Sequence, residues 1–146
     1  MNYHDQCSHC GHRITAYTLH LNKPLTRAFI AFCEVRIRLG RPVSKGQIAL
    51  TNAQYSNFQN LRHFGFIEQM EVGHCWDFTP LGIEWFMNRA TVLSPVAHLG
   101  GETLPVDHLA WSTHKGLRRS VCIQSILGEE WKPREYYQAE KKDAVA

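Results

Sequence analysis

An α+β fold is what this sequence predicts, and three observations carry it. Apolar residues recur at helical spacing from Leu25 to Leu39 and again from Tyr55 to Phe64. "FIEQMEV" and "CWDFT" alternate about a short turn at Gly73-His74, the pattern of a β-hairpin. Further on, "ATVLSPVAHL" and "LPVDHLAWST" read as strands with Gly100-Gly101 turning between them. At 146 residues, 44% of them apolar and 20% charged, the chain has the length of one domain with a small appendage and enough apolar side chain for a core.

Taken in order, the segment through Leu21 is rich in Cys, His and Tyr and reads as a small module of its own. Asn22 caps a first helix with Pro24 in its first turn, where the missing N–H costs nothing. Leu25, Ala28, Phe29, Phe32, Cys33, Val35 and Leu39 follow helical spacing, and Gly40 ends the helix. "RPVSKGQIAL" offers a second, short helix starting near Ser44. Thr51 caps a third, "NAQYSNFQNLRHFG", with Tyr55, Phe58, Leu61 and Phe64 as its apolar stripe. Its opposite face carries Asn52, Ser56, Asn57, Gln59, Asn60, Arg62 and His63. After the hairpin, Thr79 and Pro80 start a helix that turns Ile83, Phe86 and Met87 inward. "SVCIQSIL" reads as one more short helix before a polar tail.

Helix, helix, helix, hairpin, helix between Asn22 and Arg89 is the order of a winged helix-turn-helix. "LRHFGFIEQMEVGHCWDFTPLGIEWF" resembles that family's run of recognition helix, wing and following helix, "FGFIE" ending the first and "FTPLGIEWF" closing the wing. Nearly the whole chain resembles small phage and prophage proteins that join an N-terminal CxxCG to a winged helix and a strand-rich tail ending near "SVCIQSILGEEW". The expected division is a zinc-knuckle module at 1–21, a winged helix at 22–91 and a strand-rich C-terminal extension at 92–146. The wider resemblance implies no activity, and a fold does not fix a function. With no apolar run of membrane-spanning length and no apolar core in "MNYHDQCSHC", the expectation is a cytoplasmic protein, in a host cell's cytoplasm if phage-encoded.

"CSHCGHR" looks like half of a zinc site. Cys7 and Cys10 have the spacing of a knuckle, and Gly11 suits its turn. No second CxxC follows, so the remaining two of four ligands come from elsewhere. His12 with one more histidine, from His4, His9 and His20, is the favoured set. Cys33, His74, Cys75 and Cys122 are the distant alternatives, and two reduced cysteines without metal are the plain one. Five cysteines in a reducing compartment argue against a disulfide framework.

The third helix carries the functional expectation. Asn and Gln are unfavourable inside helices relative to Ala, so a face rich in them suggests a use. Asn57 and Asn60 suit adenine edges in the major groove, with Ser56 beside them and Arg62 in reach of guanine or phosphate. Arg41 and Lys45 flank the second helix, and "HKGLRR" adds a further basic cluster; a net charge of +3 is compatible with nucleic acid without requiring it. "EQMEVGHCW" holds two glutamates and is a poor phosphate-binding wing. No GxSxG, HExxH, P-loop or dinucleotide fingerprint occurs, so no enzyme is expected. The reading is a phage-type regulator of transcription on double-stranded DNA, compatible with a homodimer. The alternative is a winged-helix module that grips and inhibits a host protein such as RNA polymerase or a defence nuclease.

Overall fold

The computed structural model describes residues 4–6, 13–15, 17–71, 73–99, 102–103, 119–128 and 131. Strands β1 (His4–Gln6) and β2 (Arg13–Thr15) pair antiparallel, with His4 opposite Thr15, and β3 (Tyr17–Leu19) follows. Helix α1 (Lys23–Leu39) begins where Asn22 Oδ1 accepts the Leu25 N–H at 2.9 Å, with Pro24 in its first turn. It ends at Gly40, whose φ of +67° lets its N–H reach the Arg36 carbonyl at 2.9 Å. Leu25, Phe29, Phe32, Cys33 and Ile37 form its buried stripe, while Leu39, at the last turn, is exposed.

The expected second helix, starting near Ser44, is a single 3-10 turn capped there, and a short strand precedes it. Strand β4 (Val43–Ser44) pairs with β6, and a single 3-10 turn, Lys45–Gln47, follows. Pro42 favours extended chain and Gly46 is a poor helix former, so pairing Val43 with Trp76 wins over helix. Strands β5 (Ile67–Gln69) and β6 (Cys75–Phe78) form the predicted hairpin, and Gly73 and His74 at its turn have φ of +79° and +51°. The sheet order is β4-β6-β5, antiparallel throughout.

The predicted third helix exists in two parts. Thr51 and Gln54 form a capping box that starts α2 (Asn52–Asn57). At Asn57 the chain tightens into a 3-10 helix, Phe58–Phe64, which ends at Gly65. Phe58, Leu61 and Phe64 are spaced strictly by three, the repeat of a 3-10 turn, and all three are buried. Tyr55 lies upstream in the α-helical part, where three residues fall 60° short of a full turn. That rotation takes it off the stripe, and it is 49% exposed rather than in the core as the spacing suggested. His63, expected on the polar face, is buried; its Nδ1 lies 2.6 Å from Thr103 Oγ1 on β9.

Thr79 caps α3 (Pro80–Phe86) by accepting the Gly82 N–H at 2.9 Å, and its hydroxyl donates to the Gly65 carbonyl. Phe86 and Met87 point inward as expected, and Ile83 packs on the core's edge. Trp85, which the spacing did not single out, is fully buried 4.5 Å from Phe66, centroid to centroid. The six rings of Phe29, Phe32, Phe58, Phe66, Trp85 and Phe86 make the centre of the core.

Strands β7 (Val92–Ser94) and β8 (Val96–Leu99) flank a cis Ser94–Pro95 bond; β8 lies between β3 and β9 (Glu102–Thr103). "SVCIQSIL" divides: its first residues belong to β10 (Arg119–Val121), paired with β7, and only α4 (Ile123–Leu127) is helical. Ile123 and Leu127 enter the same core as α1, Trp85 Nε1 donates to the Val121 carbonyl at 3.0 Å, and Trp131 Nε1 donates to the Phe86 carbonyl at 2.6 Å. The strand expected in "LPVDHLAWST" and the turn at Gly100-Gly101 lie outside the described residues. No described helix is long and apolar enough to cross a membrane.

Candidate nucleic-acid interface

A groove of about 440 Å³ opens where the 3-10 turn after β4, the two-part helix and the β5–β6 hairpin meet. Lys45 enters it from the turn and Tyr55, Gln59 and Arg62 from the helix. Gln69, His74 and Trp76 close the hairpin side. Among the described residues, its lining holds two basic side chains, Lys45 and Arg62, and no Asp or Glu. The helical spacing explains why these side chains meet: Tyr55, Gln59 and Arg62 are four and three apart, so they share one face. Ser44 holds the turn in place, its N–H donating to Gln47 Oε1 at 3.0 Å.

The six expected DNA contacts fall on three surfaces. Lys45 and Arg62 share the groove. Asn57 and Asn60 border a separate depression against the start of α1, beside Asn22, Pro24 and Gln54. There Asn57 Nδ2 donates to the Ala53 carbonyl at 3.0 Å, and Gln54 Nε2 ties the helix to the Pro24 carbonyl at 3.0 Å. Ser56 is exposed and lines neither of them. Arg41 lies on the outer side of the hairpin, lining a third depression with Glu68, Glu71 and Cys75. Of the second basic cluster, His114, Lys115 and Arg118 lie outside the described residues, and Arg119 is exposed on β10.

Sequence reading missed Tyr55 and His74 as groove residues and gave Gln59 no special part. No signal in the spacing separates Tyr55 from the buried stripe, since it stands at the same three-residue interval as Phe58, Leu61 and Phe64; the change from α-helix to 3-10 helix after Asn57 does so.

Cys7, Cys10 and His12 lie outside the described residues, as does His9. Of the distant alternatives, Cys33 is sealed in the core, Cys75 Sγ donates to the Gly73 carbonyl at 3.3 Å, and Cys122 caps α4. His20 and His74 are exposed. Among the described residues no group of three or more His, Cys, Asp or Glu is placed to hold a metal ion.

The chain matches no protein-family model, no curated protein and no solved structure.

Proposed function

We propose that this protein is a winged helix-turn-helix that binds double-stranded DNA and regulates transcription. The observation that carries the reading is the groove: Lys45 and Arg62 converge there on a polar helix face with no acidic side chain among its described lining residues. Support for the winged-helix arrangement comes from the order α1, β4, two-part helix, β5–β6 hairpin, α3, and from the β4-β6-β5 sheet that sets the hairpin beside the helix. In this reading the exposed arc of the helix enters the major groove. Ser56 and Asn60 face base edges, Asn57 stands at the far rim, and Lys45 and Arg62 take phosphate or guanine. The hairpin contributes its inner side, Gln69 and His74, rather than its acidic outer side. Zinc held by Cys7, Cys10, His12 and a further ligand would brace the N-terminal module; elemental analysis of protein purified without chelator should find about one zinc per chain.

One observation favours a second reading. Glu68 and Glu71 line the outer face of the hairpin, a charge suited to a basic protein surface rather than to DNA. The deciding experiment is an anisotropy titration of the purified protein against random duplex DNA at two salt concentrations. DNA binding requires affinity that falls with salt. Lys45→Gln should make the salt slope shallower by about one, and Asn60→Ala should relax preference at one base pair by about 1–3 kcal/mol. Arg41→Gln, beside two glutamates, should change the slope less than Lys45→Gln. Absence of binding at low salt, with Glu68→Lys abolishing capture of a host protein, would hand the result to the second reading.

A further inference from the structure

Lys45 is held from two sides. Its ammonium lies 4.3 Å from the centroid of the Tyr55 ring and donates to Gln59 Oε1 at 3.1 Å. Gln59 is itself fixed, because its Nε2 donates to the Ser56 carbonyl at 2.6 Å. Tyr55 and Gln59 stand four residues apart on one helix face, so a single turn supplies both the π-face and the acceptor. Tyr55 contributes little to the core: it is 49% exposed, whereas Phe58, Leu61 and Phe64 on the same two-part helix are buried. An ammonium has three N–H donors, and Gln59 takes one, which leaves donors for an outside acceptor. A lysine already confined loses less rotamer freedom when it meets a phosphate than a freely moving one.

We infer that Tyr55 and Gln59 form a cradle that positions the Lys45 ammonium for one phosphodiester oxygen of the DNA backbone. Tyr55 is then a positioning residue acting through Lys45, and not a ring that stacks on a base. This rests on the DNA-binding reading of the groove. If Tyr55 touched DNA on its own account, its removal would weaken binding whether or not Lys45 were present.

The test is a double-mutant cycle read by anisotropy against a short random-sequence duplex over a range of salt. Tyr55→Leu should weaken binding about two- to fivefold. Tyr55→Phe, which keeps the ring, should restore wild-type affinity. Lys45→Gln should reduce the salt slope by about one. With Lys45→Gln already present, Tyr55→Leu should change affinity no further. An equal loss in both backgrounds, or none in either, overturns the inference and leaves the DNA reading standing. A wild-type chain that does not bind duplex DNA at low salt removes both. Thermal melts check that each variant folds; should Tyr55→Leu lose the wild-type transition, Gln59→Met takes its place in the cycle, because it removes the acceptor and leaves the ring.

Discussion

Gly82 stands where no side chain fits. A Cβ there would collide with the Phe66 carbonyl oxygen, because the first turn of α3 lies directly on the chain entering β5. The same carbonyl accepts the Thr79 N–H at 2.9 Å, so neither backbone can retreat without losing a bond. Gly82→Ala should therefore destabilise by about 1–3 kcal/mol or more through forced overpacking. A shift of the urea midpoint checks it, and an unchanged midpoint would mean that α3 and β5 separate freely. Burial pushes the Cys122 thiol up, but hydrogen bonds from the Ser125 N–H and hydroxyl, with backbone bonds at Gln124 and Cys122 itself, outweigh it and hold the thiol below its ordinary value. A thiol depressed in the folded state ionises more readily there than in the unfolded chain. Its contribution to stability is present above the unfolded thiol's range and is lost as pH falls through the folded one. At neutral pH, iodoacetamide should label Cys122 faster in native than in urea-unfolded protein, while Cys33, sealed in the core, should react only after unfolding. Peptide mapping of the labelled protein distinguishes them, and early labelling of Cys33 would contradict the packing of α1.

The two-part helix at Asn52–Phe64 is where sequence reading and structure diverge most usefully. Its start was legible, because Thr51 with Gln54 is a capping box that needs only local chain. Thr51→Ala should cost about 1 kcal/mol in a thermal or urea melt, and no loss at all would mean that α2 is held by tertiary contacts alone. The cap of α1 at Asn22, its stop at Gly40, the hairpin and the Thr79–Pro80 start of α3 were legible for the same reason: each is written in a few adjacent residues. Val43–Ser44 was not. Its identity as a strand depends on Trp76, more than thirty residues away in sequence, and a short segment yields to such a partner. His63 and Trp85 likewise find hydrogen-bond partners far along the chain, at Thr103 and at the Val121 carbonyl. The site followed the same rule. Lys45, Gln59 and Arg62 were legible as polar or basic, whereas Tyr55 read as core, and the sorting of the expected contacts onto separate surfaces needed the 3-10 geometry and the neighbouring elements.

At the scale of the whole molecule, the C-terminal elements share the core of the helix that carries the site. Ile123 is fully buried and Leu127 nearly so, both against the cluster that contains Phe29 and Phe32 of α1. Phe32 in turn meets Phe58 edge-on at 5.5 Å, at the junction of the two-part helix. The Arg36 guanidinium extends the same link, lying 4.7 Å from the centre of the Phe78 ring and 2.7 Å from Asp77 Oδ1, so α1 also braces β6. Burying an Ile or Leu side chain contributes about 1.5–3 kcal/mol, a large part of the roughly 5–15 kcal/mol that holds a domain folded. Ile123→Ala and Leu127→Ala should each destabilise by about 2–5 kcal/mol, whereas Gln124→Ala on the exposed face of α4 should stay within about 0.5 kcal/mol. Urea melts of the three variants make the comparison. If Ile123→Ala melts like Gln124→Ala, α4 does not belong to this core. Neither Ile123 nor Leu127 lines the groove, so if the groove binds duplex DNA as proposed, both variants should keep the wild-type salt slope below the melting transition. Lys45→Gln should do the reverse, changing the slope while the melt stays put. That crossed result separates the residues that build the platform from the residues that stand on it.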